Sequence, residues 1–238
     1  MAQFPEAIYL PGPDEPAAVL TWGKSPEQAK SDQAAVIARI GGFRSPDYAQ
    51  SYLLAANTLL RAAQSDNRLD HHGIPIFFLQ RHAAELMTKA PLQLGIEVQS
   101  YQKKLGHPTS SVFPTEDHIR HSERSHDLRE LLEDLVEMSR ALQLGTVPAP
   151  LHLVVEEILA LEKEHTWSRY SFHFEGKKDL KTRHRHLQEE ITIPLGNIQN
   201  QLQAASFSLG SSWPFDSSLM EILGSRIERL WREAGEIA

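Results

Sequence analysis

Ile74-Pro-Ile-Phe-Phe-Leu-Gln-Arg-His-Ala-Ala-Glu-Leu-Met-Thr-Lys89 is the stretch on which the reading of this chain turns. Ile76, Leu79, Ala83, Leu86, Met87 and Ala90 recur at helical spacing and form one broad apolar face. Phe77 and Phe78 add apolar bulk on the flanks, so this helix is expected to be buried on nearly every side. Arg81, His82, Glu85 and Lys89 interrupt it. At about 100° per residue, Glu85 projects between Arg81 and His82, within reach of both. Charges in a helical core are costly unless they are paired. The four side chains therefore mark either a site or a structural network.

Working outward, Ser45-Pro46-Asp47 reads as an N-cap with proline in the first helical position. It opens a helix over 46–64 that buries Tyr48, Tyr52, Leu53, Ala56, Leu59 and Leu60. Upstream, residues 1–26 hold five prolines and two glycines and read as an extended arm. Ala29 to Ile40 then suits a short helix stopped by Gly41-Gly42. Downstream, the quoted helix is expected to run from Ile74 to Lys104, bent or broken at Pro91. Gly106 to Glu123 has two prolines and no period, and reads as a loop.

A third helix starts near Ser125, with Leu128, Leu131, Leu132, Leu135, Met138 and Leu142 inward. Asp127, Glu130, Glu133, Asp134 and Glu137 are expected to face solvent. Pro150 opens a fourth helix that ends near His165. Thr166 to Phe174 suits a brief strand or an ordered aromatic loop equally well. A fifth helix is expected over Lys181 to Ala205, interrupted at Pro194. After a turn at Ser212-Trp-Pro-Phe-Asp-Ser, Leu219 to Glu233 makes the last amphipathic helix. The expectation is an all-α, irregular bundle of five to six helices. Its parts are an arm and short helix (1–44), the bundle (45–207), and a C-terminal helix (208–238) that packs on the bundle or on a partner.

Composition narrows the classes. The 238 residues are 41% hydrophobic and 23% charged, as in an ordinary soluble protein. No apolar run approaches the roughly 18 residues of a membrane span, and the N-terminus lacks the pattern of a secretory signal. Cysteine is absent, which excludes disulfides, thiolate zinc sites and cysteine nucleophiles. A cytosolic protein is expected. A net charge of -7 argues against broad electrostatic attraction to nucleic acid. One local exception is Lys177-Lys-Asp-Leu-Lys-Thr-Arg-His-Arg-His186, with five basic residues against one acid. It reads as a solvated loop and helix start, or as a phosphate-contacting surface. No Gly-x-Ser-x-Gly, phosphate-binding Gly-Lys loop or Gly-x-Gly-x-x-Gly is present.

Three motifs in order carry a resemblance. Pro75 to Lys89 resembles the "Pro-x-x-Phe-Leu-Tyr-Arg-His-x-x-Glu-Leu-x-Leu-Lys" helix of a group of bacterial HEPN-like proteins (higher eukaryotes and prokaryotes nucleotide-binding). His126-Asp127-Leu128 with Leu131 is similar to that group's "His-x-Leu-x-x-Leu" helix start, and Ser168-Arg169-Tyr170 to its "Phe-Arg-Tyr" turn. Together they cover roughly residues 45–205. Gln80, Thr88 and Pro91 depart from the group's pattern.

What the resemblance implies is a HEPN-like bundle acting on RNA or nucleotides. Many such proteins are toxins of toxin–antitoxin systems or phage-defence effectors that cleave RNA without metal or cofactor. A homodimer and a protein partner (an antitoxin or defence component) are expected with them. The last helix would offer Ile222, Ile227, Leu230 and Trp231 to a second copy. Other members are non-catalytic binding or scaffold modules.

The group's nucleases use Arg-x(4–6)-His. Here only Arg120-x5-His126 fits, no more than chance supplies. A set assembled in space suits the chemistry better: Arg81, His82, Glu85, His126 and Arg169. Histidine would activate a ribose 2′-hydroxyl, arginine would clamp the phosphate and Glu85 would orient the base. The alternative is a buried Arg–Glu–His network holding helices together. Glu123-x-x-His126 and Glu162-x-x-His165 match a di-iron pattern, with Glu156 and Glu157 as further ligands, but no metal is expected.

Overall fold

The computed structural model describes residues 24–40, 47–162, 167–168, 172–177, 180–185, 187, 189–210 and 218–237. Two compact units result, Met1–Asp47 and Tyr48–Ala238. In the first, α1 (Pro26–Ala34) is started by Ser25, whose hydroxyl accepts from the Gln28 N–H at 3.1 Å. Asp32 closes that unit locally, taking both Arg39 (2.8 and 2.9 Å) and Lys24 (2.9 Å). The proline-rich arm before residue 24, the glycine stop at 41–42 and the Ser45-Pro46 cap lie outside the described residues.

The second unit is built on one long helix. After α2 (Tyr48–Ser65), α3 runs unbroken from Leu69 to Lys104, with Pro75 and Pro91 inside it. It starts five residues earlier than its sequence suggests and does not end at Pro91. Each internal proline removes one backbone hydrogen bond, at about 3 kcal/mol in an isolated helix. Here α3 is the hub of the unit: it packs on α2, α4 (Glu116–Arg124), α5 (Leu128–Ala141), α6 (Ala149–Leu161), α7 (Leu195–Gly210) and α8 (Leu219–Glu233). At Pro91, which is buried, packing from these sides offsets the lost bond, whereas Pro75 lies on an exposed part of the helix. The expected all-round burial holds over the middle of the helix, where Ile76, Phe77, Ala83, Ala84 and Leu92 are solvent-free.

Packing is close at Gly95, where an added Cβ would stand 2.1 Å from Met138 Sδ on α5. A second tie is polar. The fully buried Gln80 donates to the Leu195 carbonyl (2.9 Å) and to Gln199 Oε1 (3.1 Å), and Gln199 donates to the Leu53 carbonyl (3.3 Å). One amide chain thus joins α3, α7 and α2.

Among the described residues there are eight helices, not five to six. α4 falls where the sequence suggested a loop. Its buried face is His118 and Ser122 rather than an apolar stripe, so no hydrophobic period announces it. The helix expected over Lys181 to Ala205 does not form. Its first part is a strand, β2 (Leu180–Arg185), paired antiparallel with β1 (Phe172–Lys177) in a two-stranded hairpin. Only the later part is helical, as α7. Ile191-Thr192-Ile193 before Pro194 favours extended backbone, and the Pro194 carbonyl then accepts from Ile198 N–H (3.1 Å) as α7 starts. α6 stops at Leu161, short of His165. Among the described helices none is long and apolar enough to cross a membrane.

Candidate functional site: a charged knot at the centre of α3

Arg81, Glu85 and Lys89 follow one another at i, i+4 along α3, one above the next. The Arg81 guanidinium reaches in three directions. Its Nη1 donates to Glu85 Oε2 (2.9 Å), Nη2 to the His126 carbonyl (2.6 Å), and Nε to Glu162 Oε1. Lys89 Nζ lies 3.0 Å from Glu85 Oε1. His126 Nδ1 lies 2.8 Å from the same oxygen. The residues before α5 and after α6 are thereby pinned to the hub.

The knot is dry and neutral. The side chains of Arg81, Glu85 and Glu162 are each 4% exposed or less. Two cations face two carboxylates, so no surplus charge is buried. Burial pushes the Glu85 carboxyl up, but hydrogen bonds from Lys89 and His126 outweigh it and hold Glu85 below the ordinary carboxylate value. Glu85 thereby orients the His126 ring, which is 53% exposed and stands at the surface.

His82 sits at the margin of the same group. Its Nδ1 is 4.0 Å from Glu85 Oε2, too far for a hydrogen bond. The ring is held edge-on by Tyr52 (centroids 4.4 Å apart) and parallel to Phe78 (6.0 Å). Burial pushes this imidazole below its ordinary value. Glu85 pulls the other way, while Arg81, His126 and Lys89 add to the fall. His82 is thus neutral near pH 7.

Arg81, Glu85 and His126 therefore meet, with His82 beside them. Arg169 lies outside the described residues. The Arg81 guanidinium, expected as a phosphate clamp, is enclosed and bonded in three directions.

No family model, curated protein or solved structure matches this chain.

Two features escaped the sequence. Glu162 suits a Glu-x-x-His metal pattern, yet its carboxylate is the partner of Arg81. Only the packing of α6 on the bundle brings it there. Among the described residues its Oε2 and the Trp167 Nε1 are buried without a hydrogen-bond partner, and Trp167 stacks on Phe77 at 5.1 Å. The second feature is a histidine pair on α4. His121 Nδ1 lies 2.9 Å from Asp134 Oδ2 on α5, and His118 Nε2 lies 3.4 Å from Glu137 Oε2. Part of the acidic side of α5 thus faces α4 rather than water. His118 also fills the third position of a capping box: Thr115 N–H donates to its Nδ1 at 3.0 Å. Glutamate or glutamine is the usual residue there, which hid the signal. Among the described residues no group of three or more histidines and carboxylates is placed to hold a metal ion.

Proposed function

We propose that this chain is a HEPN-like helical module of an RNA- or nucleotide-directed system, of the toxin–antitoxin or phage-defence kind, that binds rather than cuts. The kinship rests on the three ordered motifs around Pro75–Lys89, His126-Asp127-Leu128 and Ser168-Arg169-Tyr170. The non-cleaving assignment rests on one observation: the Arg81 guanidinium is enclosed and bonded to Glu85, Glu162 and the His126 carbonyl. A phosphorane would need a cation that can turn toward it. In this reading Arg81, Glu85, Lys89 and Glu162 hold helices in place.

A second reading, metal-independent ribonuclease, is favoured by the exposed His126 oriented by Glu85. Incubating the purified chain with RNA in chelator, beside a His126→Ala variant, separates the two. The binding reading expects intact RNA from both proteins. Chelator-resistant cleavage that disappears in His126→Ala, with an unchanged melting temperature, would replace it with the nuclease reading.

A further inference from the structure

Beside the start of α3 the surface of the second unit opens into a groove of about 700 Å³. α2 contributes Leu60 and Gln64, one turn apart. The first turns of α3 contribute Leu69, Asp70, Gly73 and Ile74, two pairs at i, i+4. Leu187 and the segment that leads into the first turn of α7 complete the lining. Its deeper residues are aliphatic: Leu195 is buried, and Leu60, Ile191 and Ile193 are half-buried. Two glycines keep the space open. A Cβ added at Gly73 or at Gly196 would meet nothing within 4 Å.

The polar part of the lining has one sign. Asp70 comes from α3, and Glu189 and Glu190 come from the segment before α7, so exposed carboxylates stand on two separate elements. No lysine or arginine is among the described residues that line the groove. Phosphate is repelled here, whereas an aliphatic chain that carries cations is attracted. Openness separates a polypeptide from a small amine. A small-molecule site encloses about 70–90% of its ligand, yet Leu69 and Ile74 are 41% and 45% exposed while lining this one. A chain laid along the groove covers both and continues past the rim.

We propose that this groove docks a basic, aliphatic segment of a partner protein. The partner's aliphatic side chains enter over Leu195, Ile191 and Ile193, and its lysines or arginines stand beside Asp70, Glu189 and Glu190. The groove shares no residue with the Arg81 knot, and its chemistry holds whichever reading of that knot survives.

The test is fluorescence anisotropy of the full chain with labelled Lys-Leu-Lys-Leu-Lys-Leu-Lys, which when extended sets leucines on one side and lysines on the other. Binding is expected below about 1 mM peptide. Versions with serine for leucine, or glutamate for lysine, are expected to bind at least about tenfold more weakly. Asp70→Asn/Glu190→Gln should weaken the leucine peptide about 3–10-fold, as two exposed ion pairs allow. Gly73→Gln fills the groove and should weaken it at least about tenfold. Its melting temperature should be unchanged or raised, because glutamine is the better helix former. Glu123→Gln/Glu133→Gln, at exposed carboxylates of α4 and α5, should change nothing. If Gly73→Gln loses its cooperative melt, Gly196→Gln takes its place; failure of both to fold would show that the space is not open and overturn the proposal. It falls if the leucine peptide does not bind, or if the serine peptide binds equally well. It falls too if either the carboxylate pair or the glutamine plug leaves binding unchanged. Octylammonium binding without peptide binding would replace it with a small-ligand site. A dimer that Gly73→Gln dissociates in sedimentation velocity, with no peptide bound, would replace it with self-association.

Discussion

Arg81 is where a single substitution should matter most. Truncating it strands Glu85 and Glu162 beside each other in a dry interior, so Arg81→Ala is expected to cost about 3–5 kcal/mol in urea unfolding. Removing the charge together with its partner, as in Arg81→Met/Glu162→Leu, should cost clearly less than the two single changes summed, because Glu85 keeps Lys89 and His126. Additive costs would mean that the guanidinium and Glu162 do not act as a pair. His82 supplies a second test at this scale. Its proton is held more weakly in the folded chain than in the unfolded one, so its contribution is complete above the ordinary value of 6.5 and is lost as pH falls below that. Glu85, also lowered, adds a further loss only below its ordinary 4.5. Melting temperature against pH should therefore fall in two stages, and His82→Phe should flatten the first while leaving the second. Identical profiles for variant and wild type would remove His82 from the account.

For the elements, Gly95 on α3 lets Met138 of α5 approach closely. Alanine at position 95 gains helix propensity, worth up to about 1 kcal/mol, but pushes a methyl into the fully buried Met138. Gly95→Ala is expected to be destabilising by about 1–3 kcal/mol net. Met138→Ala in that background should recover part of the loss, whereas in the wild type it opens a cavity and destabilises. The sign change of Met138→Ala between the two backgrounds, read from paired urea melts, is the decisive measurement. Its absence would show that α5 shifts away freely and that the glycine is not needed for the close approach.

At the scale of the whole molecule, every buried member of the hydrophobic cluster among the described residues lies between Leu53 and Leu230, within the second unit. The fragment 48–238 contains that described core and the charged knot. It is expected to unfold in one cooperative transition with native-like helix content by circular dichroism. A fragment that melts without cooperativity would place an essential part of the core's support in residues 1–47.

What the sequence determined by itself is what depends on neighbours along the chain. The 3.6-residue period gave α3, α5 and α8, the last with both ends where the pattern put them, because apolar stripes and terminal caps are local properties. The i, i+4 spacing likewise placed Arg81, Glu85 and Lys89 on one line. Tertiary structure alone decided the rest. Pro91 stays inside a helix because the packing of the bundle buries it, and α4 exists because histidines and carboxylates from two helices can face each other where apolar residues usually would. The 181–205 segment divides into strand and helix once β1 supplies a partner ladder. Glu162 reached Arg81 across 81 residues of chain, which no local period can encode. Packing, in the end, turned the arginine that the motif singled out from a free cation into an enclosed tie.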